Sequence, residues 1–120
     1  MRGTAADYDG WEALGNSGWG WNDVLPYFRR SENHFLGDSP WHGGRGELHV
    51  SPLHEPHRAS IAFVDAAASL GIPRNDDFNG ATQEGVGFLQ FAIRNGVRDS
   101  AAAAFLHPVR QRPNLALQTG

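Results

Sequence analysis

Three of the four tryptophans of this 120-residue chain, Trp11, Trp19 and Trp21, lie in its opening run, MRGTAADYDGWEALGNSGWGWNDVLPYFRRS, together with Tyr8, Tyr27 and Phe28. No other feature constrains the fold as much. Rings this large, spaced by Gly10, Gly15, Gly18 and Gly20, need apolar surroundings and leave little room for a regular surface element. Such a cluster either packs as a core or stacks on a planar ligand. The residues alone favour a core.

Fifteen Gly and seven Pro imply much loop around one modest core. The formal charge is −3, so no basic surface argues for nucleic acid or an anionic membrane. All ten cationic residues are Arg, which excludes a lysine Schiff base and a phosphate-loop lysine. Cysteine is absent, so disulfides, thiolate zinc sites and cysteine nucleophiles are excluded, and a cytoplasmic location is the expectation. Neither a signal peptide nor a membrane span is supported by any apolar run.

A helix is expected over Asp7 to Leu14, closed by Gly15, and a second from Asn22 as N-cap with Pro26 in its first turn. Val24, Leu25 and Phe28 form the apolar face of that second helix. Asn33 to Gly46 reads as loop, and Glu47 to Val50 alternates as a short strand. A third helix starts near Pro56 or His57, carries Ile61, Val64 and Ala68 on one stripe, and ends at Gly71 with Pro73. Arg74 to Gly85 is polar loop. Val86 to Arg94 is the longest strand pattern, with Phe88, Gln90 and Ala92 on one face, and Asn95-Gly96 signals a hairpin. Ser100 caps a last helix that ends before Pro108, and Leu115 to Leu117 begins a further strand.

Each candidate for chemistry has a plainer reading. His54 and His57 are not an H-E-x-x-H pair, since Arg58 stands where the motif needs His, and the six His read as scattered loop and surface residues. No metal site is expected. Asp76 and Asp77 with Asp7 and Asp9 could be paired carboxylates for acid–base or magnesium work, but adjacent Asp in an N-D-D-F-N-G loop fit Asx-turns better. The glycines never form G-x-G-x-x-G, and no G-x-S-x-G elbow is present.

The motifs point further. Arg2-Gly3, Asp7-Tyr8-Asp9-Gly10-Trp11, Gly18-Trp19-Gly20-Trp21 and Leu25-Pro26-Tyr27-Phe28 are followed in order by Trp41-His42-Gly43-Gly44, Pro73-Arg74-Asn75-Asp76-Asp77-Phe78-Asn79-Gly80, Gly96-Val97-Arg98 with Ser100-Ala101, and Arg112-Pro113-Asn114-Leu115. This series resembles the glucose-methanol-choline (GMC) oxidoreductases, their choline dehydrogenase and alcohol dehydrogenase branch in particular, over essentially the whole chain. The chain departs from the branch at Ala102 to Ala104, where relatives often carry a large residue, and at Asp99, often Cys or Arg.

The resemblance implies an internal fragment of a flavoenzyme that oxidises an alcohol by hydride transfer to FAD. Residues 1–35 would be a flavin-covering lid with the helix after it, and residues 36–120 part of the substrate-binding domain. Arg2, Gly3, Thr4, Asp7, Tyr8 and Trp11 would face the cofactor, and Phe88 and Gln90 would belong to the substrate pocket wall. The FAD-binding Rossmann core and the C-terminal segment with the catalytic His would lie outside these residues. No catalytic residue is therefore expected here, and the isolated chain should be inactive. Its partners would be a small-molecule alcohol and those missing parts. The fold expected is α+β, short helices with a small antiparallel sheet. A second reading is a non-catalytic remnant or interaction module whose exposed Trp and Phe meet a partner.

Overall fold

The computed structural model describes all 120 residues, as three helices, two small two-stranded sheets and long loops. Helix α1 spans Ala5–Ala13. Thr4 starts it through a capping box: its hydroxyl accepts from the Asp7 N–H, and its own N–H donates to the Asp7 carboxylate at 2.6 Å. Gly15 follows the end with φ +97, so the expected glycine stop holds, whereas the start lies two residues earlier than expected. Helix α2, Trp21–Ser31, has Gly20 at its N-cap, not Asn22. The capping oxygen comes from α1 instead, where Asp9 accepts from the Trp21 N–H at 2.8 Å. The earlier start moves Pro26 out of the first turn to the sixth helical position, where its missing N–H leaves the Asn22 carbonyl without a helical donor. Val24, Leu25 and Phe28 form the half-buried face as expected.

Strand β1, Glu32–His34, follows α2 directly, inside the stretch expected to be loop. It pairs with β2, Leu48–Val50, in the register Glu32 with Leu48 and His34 with Val50, and the pair is parallel. The expected antiparallel sheet is thus realised only in β3, Ile93–Arg94, and β4, Val97–Arg98. There Asn95 and Gly96 have φ 52 and 76, the two positive values of a type I′ hairpin. Helix α3, Arg58–Ser69, is capped by the His57 side chain and buries Val64.

The long strand expected over Val86 to Arg94 is mostly irregular. It touches other backbone at two isolated bridges, Val86 with Arg74 and Phe91 with Ser51, before joining β3. Without a continuous neighbour, alternation alone does not make a ladder. The same lack of a partner leaves Leu115 to Leu117 irregular. Ser100 does cap the last helical segment, accepting from the Ala103 N–H at 3.2 Å. That segment is a π-helical turn over Ala102–Leu106 and runs on through a 3₁₀ turn, His107–Val109, that accommodates Pro108.

Only two apolar side chains, Val64 and Ala104, are buried. A compact monomer of this mass exposes about 6,400 Å², whereas this chain exposes 8862 Å². Its radius of gyration is 17.4 Å, against about 13.6 Å for a compact domain of this length. No helix is long and apolar enough to cross a membrane.

Candidate functional site

The opening aromatic run packs on itself. The Tyr8 ring meets Trp11 edge-on at 5.3 Å and Phe28 at 5.7 Å, and Trp11 meets Trp19 at 5.8 Å. These contacts join α1 to α2 and leave Trp11 and Trp19 about half exposed. With Val24, Tyr27 and Phe105 they line an open cleft of about 970 Å³. Its charged members Arg30, Arg45 and Glu47 are solvent-exposed, so the cleft offers apolar area more than chemistry.

Chemistry is concentrated beneath Arg2. The Arg2 N–H donates to Asn79 Oδ1 at 2.9 Å, and Tyr8 donates its hydroxyl proton to the Arg2 carbonyl at 2.6 Å. The guanidinium reaches the Trp41 carbonyl and pairs with the Glu32 carboxylate. His42 completes the set: Nδ1 lies 2.8 Å from Glu32 Oε2, and Nε2 lies 2.8 Å from Asp77 Oδ2. Glu32 and His42 are buried. The His34 ring stacks on His42 at 3.9 Å, and its Nε2 lies 3.0 Å from Gln90 Oε1.

Local backbone holds these groups. A Cβ on Gly43 would sit 1.7 Å from the Arg29 carbonyl oxygen, so only glycine lets the residue after His42 lie against the end of α2. Gly87 approaches the Asn75 carbonyl oxygen equally closely, 1.9 Å from where its Cβ would be. Asp77 makes the expected Asx-turn, accepting from the Asn79 N–H at 3.0 Å, whereas the second turn of this loop is made by Asn75, accepting from the Asp77 N–H at 2.8 Å, and not by Asp76. Asp77 turns its other oxygen to His42.

Of the residues expected to face a cofactor, Arg2, Gly3, Thr4, Asp7, Tyr8 and Trp11 are gathered along the N-terminal segment and α1. Thr4 and Asp7 spend their side chains on the capping box, which holds the Asp7 carboxyl below the usual carboxylate range, chiefly through the Thr4 N–H. Phe88 and Gln90 come together with Met1, Phe78 and Asn79 around a hollow of about 60 Å³. Glu32, His34 and His42 were not among the expected site residues. His34 and His42 are only 3% exposed, which corrects the view of all six His as surface residues. Their partners lie at 32, 77 and 90, too far along the chain for a local motif. No group of three or more His, Cys, Asp or Glu is disposed to hold a metal.

Asp99, a departure from the branch pattern, is also explained. It is 4% exposed, accepts from the His49 N–H at 2.9 Å, and lies 3.4 Å from Arg94. The His49 N–H, aided by the charges of Arg94 and His49, holds its carboxyl below the usual range against the effect of burial.

Residues 1–120 match the GMC oxidoreductase family, and the chain belongs to it. It is 44% identical over 115 residues to the mitochondrial choline dehydrogenase of Mus musculus, covering 96% of this chain and 19% of that protein. It is also 44% identical over 119 residues to the oxygen-dependent choline dehydrogenase of Sinorhizobium fredii, covering 98% and 21%. Among solved structures, pyridoxine 4-oxidase from Mesorbium loti superposes with a TM-score of 0.88 at 39% identity, over 97% of this chain and 23% of that one. An FAD-dependent oxidoreductase from Chaetomium thermophilum gives 0.82 at 32% identity, over 95% and 22%. The chain spans about a fifth of the length of these curated relatives.

Proposed function

We propose that this chain is a segment of an FAD-dependent oxidoreductase that oxidises the CH–OH group of a small alcohol by hydride transfer to flavin. The carrying observation is the family match over residues 1–120, with choline dehydrogenases 44% identical across nearly all of it. In this reading residues 1–35 act as a lid over the flavin, and residues 36–120 contribute to the substrate-binding domain. The remaining parts of the parent protein are the chain's partners, and its large exposed surface and small buried apolar content support that view.

The residues present fit a wall of the cofactor site and not a whole cradle. Gly3 has φ +94, a backbone conformation that favours glycine, and a Cβ there would meet the Asp7 carboxylate oxygen at 3.3 Å. The hollow bounded by Gly3, Thr4, Trp21, Trp41 and Asn79 holds about 130 Å³, below the roughly 300–1,000 Å³ of ligand pockets. In this reading Arg2, Gly3, Thr4, Asp7, Tyr8 and Trp11 cover flavin whose bulk other residues hold. Bound flavin supplies the hydride acceptor. In this chain the segment's work is to exclude water and orient substrate, with Phe88 and Gln90 on the pocket wall, and the base that takes the hydroxyl proton lies elsewhere.

The test is to purify the protein that carries this segment and, separately, the 120 residues alone. The first should show flavin absorbance and oxidise a primary alcohol such as choline or pyridoxine. The second should bind FAD weakly and turn over nothing. Tight FAD binding by the isolated chain would contradict the assignment.

A further inference from the structure

We propose that His42 is a positioning residue: acting through Glu32, it holds Arg2 and the flavin-covering segment that Arg2 begins in one place relative to the Asp77 loop and the Gln90 wall. The inference rests on the proposed function for what that segment covers.

The geometry supports a tie more than a packing element. Both nitrogens of His42 face carboxylate oxygens at 2.8 Å, and those oxygens come from different parts of the fold, Glu32 on β1 and Asp77 in the loop after Asn75. An imidazole presents its two nitrogens from opposite edges of a rigid ring, so it spans the two oxygens and fixes their separation. Glu32 Oε2 receives Arg2 and His42 together, so the imidazole governs where that oxygen sits and the oxygen governs the guanidinium. The Arg2 guanidinium itself lies 3.3 Å from Nδ1.

The charged and titratable side chains facing His42 are Arg2, Glu32, Asp77 and His34, while Arg29 reaches only its carbonyl. His34 carries the tie onward, since its ring lies on His42 and its Nε2 on Gln90. Arg2 and Tyr8 on the lid side are thereby joined to Gln90 on the wall side. An apolar side chain in place of such a buried set is often no less stable, so stability alone gives little reason for this arrangement. Position does.

The experiment compares His42→Gln, Arg2→Lys and the double variant in the flavin-loaded protein that carries this chain. Gln reaches one carboxylate with a donor and offers the other an acceptor. Each single variant should keep its flavin and lose kcat per bound flavin by on the order of 10- to 100-fold, as a small misplacement does. The double variant should be no worse than the poorer single, because both cut the same tie. Unchanged kcat per bound flavin in His42→Gln would overturn the proposal, as would losses that multiply. A merely structural His42 would lower flavin content and Tm together and leave kcat per flavin intact. Should His42→Gln fail to fold, Asp77→Asn takes its place, because Asn keeps the acceptor toward Asn79 and removes the oxygen facing His42. Non-additivity with Arg2→Lys supports the tie, and additivity overturns it. A wild-type protein without flavin, or inert toward alcohols, would sink the proposed function instead. The tie would then be read from the Tm values of the same variants, by the same additivity criterion.

Discussion

The imidazoles of His34 and His42 stack at 3.9 Å with their planes 23° apart. Backbone fixes the stack: the His34 N–H donates to the Gly43 carbonyl at 2.8 Å, so β1 and the turn after His42 are registered before either side chain is placed. The stack is therefore a consequence of how glycine lets two stretches of main chain approach.

That approach gives two glycine substitutions opposite signs. Gly43→Ala drives a methyl into the Arg29 carbonyl, within α2, and should destabilise by about 1–3 kcal/mol or more. Gly10→Ala, inside α1 with nothing within 4 Å of the new Cβ, should stabilise by about 0.5–1 kcal/mol. Denaturant titration of the two variants beside wild type reads both, and equal effects would refute the packing account.

Thr4 and Tyr8 hold the N-terminal segment by different means. Thr4→Ala removes the cap of α1 and should cost about 0.5–2 kcal/mol, with Thr4→Ser recovering most of it. Tyr8→Phe deletes the hydroxyl that donates to the Arg2 carbonyl and should cost about 0.5–1.5 kcal/mol. Thermal melts of the three variants check both. A neutral Thr4→Ala would mean that the capping box does not hold in solution.

Acid should weaken the fold through Asp7 and Asp99. Both carboxyls are held below their ordinary value, by the Thr4 N–H and by the His49 N–H respectively. The folded state thus favours their ionised forms. Their contribution is complete above the ordinary Asp pKa, about 3.9, and is lost as pH falls through the lower folded values. Asp99→Asn should flatten the acid limb of a stability–pH curve. An unchanged limb would refute the role given to Asp99.

Exposed apolar surface predicts the behaviour of the isolated chain. Phe63 on α3 is 70% exposed and Leu70, which caps the end of that helix, 84%, so Phe63→Glu with Leu70→Glu should raise the concentration at which the 120 residues stay monodisperse. Size-exclusion chromatography with light scattering measures this, and no change would place the sticky surface elsewhere.

The helices and the hairpin were legible because their signals are local. Gly71 after α3, His57 before it, and Asn95-Gly96 between β3 and β4 each act within a few residues. Strand β1 was not legible, since Glu-Asn-His has neither alternation nor β-branched side chains, and it forms only because Leu48–Val50 lies beside it. The length of the strand over Val86 to Arg94 was over-read for the opposite reason, an alternating pattern with no ladder to join. At the site, Arg2 and Tyr8 stood in recognisable motifs. The role of His42 needed Glu32 and Asp77, which only the folded chain brings to its two nitrogens.

The hydrogen bond from the Arg2 N–H to Asn79 closes a loop of 77 residues. Closure of this kind costs entropy before any contact repays it, and it slows folding. During synthesis Arg2 is made long before Asn79, so the bond between them closes only after the intervening residues have been added. The N-terminal contacts are in that sense a late kinetic event. Changes in the loop from Asn75 to Gly80 should therefore speed unfolding and leave the refolding rate nearly unchanged.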